Sequence, residues 1–137
     1  MKLTFLDKVA KREDYKQRYP KKSYGEIDIK IFLDENHIEY EEEVSGTIIN
    51  YDTGETLNVR IDYYIPKCNI FIEYNGRQHY EPVQDFGGSR EFIRQQKRDI
   101  LVREMCKAKG YILIEIPYYD FYDKYFEQIL ELYNKIL

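Results

Sequence analysis

Tryptophan is absent from this chain, and histidine and cysteine occur only twice each. Cys68 and Cys106 form neither a CxxC pair nor a disulfide framework, which excludes a cysteine-stapled secreted scaffold. Two free, buried thiols in a cytoplasmic protein are the expectation. No apolar run approaches the roughly 18 residues that a membrane-spanning helix requires. Mean hydropathy is −0.68. The stretch Met1 to Ala10 lacks the basic flank and apolar core of a secretory signal. There is no internal repeat, no low-complexity tract and no linker rich in Gly, Pro or Ser. What remains is a chain of 137 residues, 43% hydrophobic and 34% charged, which suits one folded domain and no membrane span.

Charge is segregated. Residues 1–22 carry eight basic side chains (Lys2, Lys8, Lys11, Arg12, Lys16, Arg18, Lys21, Lys22) against three acidic ones. Residues 34–86 hold twelve acidic and three basic groups, and residues 87–109 hold seven basic (Arg90, Arg94, Lys97, Arg98, Arg103, Lys107, Lys109) and three acidic. Basic stretches can follow a phosphate backbone, whereas clustered carboxylates repel it unless a cation intervenes. Such runs also occur simply as solvated helix faces.

The pattern along the chain predicts a short helix ending before Pro20. Ser23 and Glu26 predict a capped helix start, with Ile27, Ile31 and Leu33 on its apolar side and an end near Asn36. An extended segment 39–50 and a turn over Asp52–Glu55 lead into a strand over 57–65. There Val59, Ile61, Tyr63 and Ile65 share one face, and Arg60, Asp62 and Tyr64 the other. A turn at 66–69 leads to the most apolar strand, 70–74, expected at the centre of a sheet. Ser89 is expected to cap a long helix that Gly110 stops. A strand over 111–116 follows, then a closing helix over 121–137 that buries Phe126, Ile129, Leu130, Tyr133 and Leu137. Hairpins make the first three strands antiparallel; the fourth arrives through a helix and can pair in parallel. The expected fold class is therefore α/β, a mixed sheet covered by helices.

Asp62 and Glu73 carry the chemistry. A hairpin loop at 66–69 sets them opposite each other, with side chains about 5 Å apart. An opposed acidic pair destabilises a sheet unless a countercharge is present. A hard dication such as Mg²⁺ removes the conflict, since carboxylate oxygens are its preferred ligands, and phosphoryl chemistry needs such an ion. A slip of one residue would instead set Asp62 against Ile72. Paired acids on a strand also occur as surface groups or as partners of a base such as Arg60. His79, close in sequence to the pair, has a ring suited to moving a proton near neutral pH; His37, at the end of a helix, reads as structural.

Several strings resemble a known family: Arg60–Ile65, then Ile72-Glu73-Tyr74-Asn75-Gly76-Arg77-Gln78-His79-Tyr80, then Phe86-Gly87-Gly88, Gln96-Lys97-Arg98-Asp99 with Cys106, and Ile114-Glu115-Ile116-Pro117-Tyr118. Together they resemble the PD-(D/E)XK nuclease superfamily, in the branch related to very-short-patch repair endonucleases and the EDxHD homing endonucleases of phages. Ser23-Tyr24-Gly25-Glu26 matches that branch's opening. The resemblance covers about residues 23–120, and its most specific piece is the string Glu73 to Tyr80. It implies a restriction-endonuclease-like fold with a basic segment 1–22 ahead of one nuclease-like domain, 23–137. It implies a Mg²⁺-dependent DNA endonuclease (Mn²⁺ as a substitute) leaving 5′-phosphate and 3′-hydroxyl ends.

Carried over residue by residue, Asp62 is the principal metal ligand, Glu73 the second acidic position, and Glu26 a third ligand acting directly or through water. His79 is the general base or stabilises the scissile phosphate. Asp99 is the last acid, with Asp85 as the alternative. Arg77, Gln78, Lys21, Lys22, Arg90, Arg94, Lys97 and Arg98 are the expected DNA contacts. No separate recognition domain is evident, so a second subunit, another protein or DNA structure would supply specificity.

The superfamily's usual Lys, two residues after the Glu, is Asn75 here, and zinc-ligand spacings are absent. Glu26 is equally explained as the N3 member of a capping box, Asp99 as a partner of Arg103 one turn on, Gln78 as a loop anchor, and Cys106 as core. The rival reading is a catalytically silent nucleic-acid-binding or partner-binding module on the same fold.

Overall fold

A computed structural model describes residues 4–136. Lys2 of the basic stretch and Leu137 of the closing helix lie outside the described residues. The chain divides into two compact units, one ending at Glu39 and one beginning at Tyr40.

The first unit is a pair of helices, α1 (Phe5–Arg18) and α2 (Tyr24–Glu35). Thr4 caps α1 in a reciprocal box with Asp7. Ser23 caps α2 by accepting from the Glu26 backbone N–H at 3.2 Å. Polar contacts tie the two helices together. The Arg12 guanidinium forks onto Asp28 at 2.8 and 3.1 Å, the Tyr15 hydroxyl donates to Asp34 at 2.7 Å, and Lys11 meets Glu35 at 2.8 Å. Arg18 pairs with Asp14 and covers the Tyr15 ring. Much of the basic N-terminal stretch is thus matched internally.

The second unit is built on four strands: β1 (Glu41–Ile49), β2 (Thr56–Ile65), β3 (Ile70–Asn75) and β4 (Ile112–Pro117). Their spatial order is β1-β2-β3-β4. The first two pairings are antiparallel, and β3 pairs with β4 in parallel. The β1–β2 turn closes through Asn50 N–H to the Glu55 carbonyl at 2.8 Å. The β2–β3 turn is a short 3-10 segment, Pro66–Cys68, completed by Asn69 at φ +53°. Along β2, Val59, Ile61, Tyr63 and Ile65 are buried while Asp62 and Tyr64 are half-buried, the alternation expected of a strand.

The parallel crossover is α3 (Gly88–Lys109), and α4 (Asp123–Asn134) closes the chain. Ile48, Val59, Ile61, Phe71, Val102 and Cys106 form a core joining β1, β2 and β3 to α3. Both cysteines are free and buried. No helix among the described residues is long and apolar enough to cross a membrane.

Two local expectations are corrected. Ser89 does not cap α3. The helix begins at Gly88, and Gly87, at φ +90°, occupies the cap position with no side-chain bond. A Cβ at Gly87 would meet Glu91 Cγ at 2.2 Å, so a glycine is required where the chain turns into the helix. The closing helix is shorter than its amphipathic pattern, starting at Asp123, and only Ile129 is fully buried on it. Phe126, Leu130 and Tyr133 are half-buried instead.

Candidate active site

The β2–β3 register pairs Tyr63 with Ile72, Tyr64 with Phe71 and Ile65 with Ile70. One step further along the same ladder sets Asp62 opposite Glu73. The Tyr74 backbone N–H donates to Asp62 Oδ2 at 2.8 Å, and the Asp62 carboxylate lies within electrostatic reach of the Glu73 carboxyl. Burial, then the Asp62 charge and its hydrogen bond, then the Asp99 charge hold the Glu73 carboxyl far above the usual carboxylate range.

His79 ends a 3-10 turn, Arg77–His79, that follows β3 directly. Its Nδ1 lies 2.9 Å from Asp99 Oδ2, with both side chains nearly buried (11% and 13% exposed). Asp99 projects from mid-α3 and also accepts from Gln95 Nε2 at 2.8 Å. In the tautomer in which Nδ1–H donates to Asp99, Nε2 is the ring nitrogen with a free lone pair. The Asp99 charge also reaches Glu73, so the His79–Asp99 pair lies within electrostatic reach of that carboxyl.

A third pair borders it. Glu115 on β4 is the parallel register partner of Glu73. Arg103 of α3 forks onto Glu115 at 2.8 and 3.0 Å, and Asn75 Nδ2 donates to it at 3.1 Å. Asn75 is 1% exposed, and its Oδ1 is buried without a partner among the described residues. The position two residues after Glu73 therefore holds a sequestered amide and no cation.

Asp99 does not pair with Arg103 at i+4. It meets His79, and Arg103 meets Glu115 instead. Asp85 is exposed on the short turn Gln84–Phe86. Arg60 stands 4.0 Å from Glu43. Arg77 is paired with Glu81 and Arg94 with Glu91. Gln78 folds back so that a Cβ on Gly76 would meet its Oε1 at 2.6 Å, a contact that suits a loop anchor. Arg90 and Lys97 are exposed on α3, while the Arg98 Nε is buried without an acceptor among the described residues. Glu26, Lys21 and Lys22 belong to the first unit; there Glu26 accepts from the Ser23 hydroxyl at 3.1 Å.

The roles of Glu115, Arg103 and Gln95 were missed in the sequence. The signal for Glu115 was its place as the one charged residue in the apolar run Ile112–Pro117. Gln95 shows only as the residue one turn before Asp99.

Among the described residues, no three His, Cys, Asp or Glu side chains form a cluster able to hold a metal ion. The carboxylate pair nonetheless fits a hard dication. Mg²⁺ commonly takes one or two protein carboxylates and keeps water in its other positions, and the Asp62 and Asp99 charges that bear on the half-buried Glu73 carboxyl are ones a dication would offset.

No family model matches the chain, and no solved structure matches it. The chain is similar to viral proteins whose names describe them as uncharacterized. It is 36% identical over 98 residues to protein 033L of Invertebrate iridescent virus 3, covering 70% of this chain and 50% of that protein. It is 44% identical over 73 residues to protein 094L of Frog virus 3 (isolate Goorha), covering 52% and 46%. It is 47% identical over 62 residues to protein 307L of Invertebrate iridescent virus 6, covering 44% and 32%. The chain thus spans half or less of the length of the relatives it matches.

Proposed function

We propose that this protein is a metal-dependent DNA endonuclease that hydrolyses phosphodiester bonds. The observation that carries the reading is the His79–Asp99 pair, 2.9 Å apart, within electrostatic reach of the neighbouring carboxyls of Asp62 and Glu73.

Asp62 and Glu73 would hold Mg²⁺ or Mn²⁺. The ion, when bound, supplies charge neutralisation at the phosphate and acidifies a water. Asp99 orients the His79 ring. Nε2 of His79 accepts the proton of the attacking water as the new P–O bond forms. The P–O3′ bond then breaks, and the leaving 3′ oxygen takes up a proton from solvent water. Arg103 and Asn75 keep the Glu115 charge compensated at the border of the site. Basic side chains of α3 would hold the DNA backbone.

Supercoiled plasmid incubated with the protein and Mg²⁺ or Mn²⁺ tests the reading. Nicked or linear product from wild type, and none from Asp62→Ala, is the expected result. Binding without cutting under either ion overturns it. That outcome would favour a catalytically silent nucleic-acid-binding module, a reading to which the buried, cation-free Asn75 position lends support. RNA and DNA of one sequence, offered side by side, separate the two nucleic acids as substrates.

A further inference from the structure

Three tyrosines stand together next to the candidate site. Tyr80 follows His79 directly, and Tyr118 and Tyr119 follow the last residue of β4. The Tyr80 ring lies 5.1 Å from Tyr119 at 71° and 6.0 Å from Tyr118, and Tyr118 meets Tyr119 edge-on at 5.5 Å and 85°. All three stay open to solvent, at 39%, 37% and 64%. The group is anchored, since the Tyr118 backbone N–H donates to the Asn75 carbonyl at 2.9 Å. It is also close to the proposed chemistry, with the Tyr80 ring centroid 6.4 Å from that of His79.

Three rings in mutual contact, two of the pairs edge-to-face and one tilted, that yet remain a third to two-thirds exposed are more than scattered surface aromatics. The charges along their border are balanced. The three carboxylates nearest the ledge in sequence each have a cation: Glu81 has Arg77, Glu115 has Arg103, and Asp120 has Lys124. The Arg77 guanidinium is also within electrostatic reach of the Tyr118 phenol. A polyanion can therefore approach without facing uncompensated acid from these three. Each nucleobase offers a π-face that stacks on an aromatic ring without regard to sequence.

We infer that Tyr80, Tyr118 and Tyr119 form a stacking ledge for an unpaired nucleobase next to the scissile phosphate, so that the substrate class is DNA with a gap, flap or other single-stranded element. The inference rests on the endonuclease reading. A base in an intact duplex is already stacked on both faces and cannot use the ledge, whereas a base freed at a gap can.

The experiment uses one duplex, intact or with a short gap that exposes 2-aminopurine in the facing strand. Binding is followed by fluorescence anisotropy in EDTA, and cleavage is followed separately in Mn²⁺. Wild type is expected to bind the gapped form about tenfold tighter than the intact one and to quench the 2-aminopurine. Tyr80→Leu and Tyr119→Leu bring that ratio towards one, while Tyr80→Phe retains it. Tyr51→Leu, at a site 90% exposed on the β1–β2 turn, is the matched control and retains it as well. Equal binding of the two forms by wild type, or an equal loss on both in Tyr119→Leu, overturns the ledge. So does a lack of binding to either DNA, an outcome that would leave the patch to a protein partner. Gap-selective binding that depends on the tyrosines, with no cleavage of any DNA, overturns the endonuclease reading and leaves the ledge standing.

Discussion

His79 Nδ1 and Asp99 Oδ2 are 2.9 Å apart although 20 residues separate them in the chain. A turn at the end of β3 supplies the ring and the middle of α3 supplies the carboxylate, so the ring's orientation is set from a different element. If His79 is the proton acceptor, His79→Ala lowers the cleavage rate by about 10²- to 10⁴-fold. Asp99→Asn preserves the shape but permits the wrong tautomer, and should cost on the order of 10³-fold. Initial rates of plasmid nicking across a pH series measure both, and circular dichroism confirms that each variant is folded.

Glu73 makes the metal-free protein sensitive to pH. Its carboxyl is held well above its ordinary value near 4.5. A raised value means stability that is complete below the unfolded value and is lost as pH rises through the folded one. Metal-free protein is therefore expected to melt at a higher temperature at about pH 5 than at about pH 8. Glu73→Gln should flatten that difference, because an amide at that position does not titrate. Thermal melts in EDTA check it.

A dication at the same pair competes with the proton that burial favours on Glu73. Adding Mn²⁺ near neutral pH should raise the melting temperature of wild type and release close to one proton. Asp62→Asn should abolish both effects. Titration calorimetry in two buffers of different ionisation enthalpy reads the proton directly.

Arg103 and Glu115 form a forked pair at the border of the site. Both groups are partly exposed, so Arg103→Ala should cost only about 1 kcal/mol. A double-mutant cycle with Glu115→Gln, followed by urea unfolding, measures the coupling.

In the first unit, burial and then the hydrogen bond to Asp34 push the Tyr15 phenol up to about 12. Its stabilising contribution is therefore whole below pH 10, its ordinary value, and disappears as pH climbs towards 12. Tyr15→Phe should cost about 1 kcal/mol at neutral pH and remove that alkaline loss. Phenolate absorbance and melting curves followed together test both statements.

The strands, their directions and the Asp62–Glu73 opposition were legible in the sequence, because side-chain alternation and a four-residue turn leave one register for a short hairpin. Helix ends were legible where a residue with a local duty marks them, such as Ser23 before α2 and Gly110 after α3. Ser89 misled because the cap of α3 is made by backbone geometry at Gly87, which no hydroxyl signals. The extent of α4 misled because an apolar stripe reports what a helix can bury and leaves open how much surface is there to cover it.

The rest is tertiary. Asp99 had a local partner available in Arg103, and the pattern alone left the choice between that ion pair and the site open. The crossover of α3 decided it by carrying Asp99 to His79 and Arg103 to Glu115. The tyrosine ledge likewise joins positions 80 and 118–119, which only the parallel pairing of β3 with β4 brings together. Local sequence sets backbone conformation over a few residues. Which charges and rings meet is decided by how the chain crosses over its own sheet, where long-range packing overrides short-range pairing.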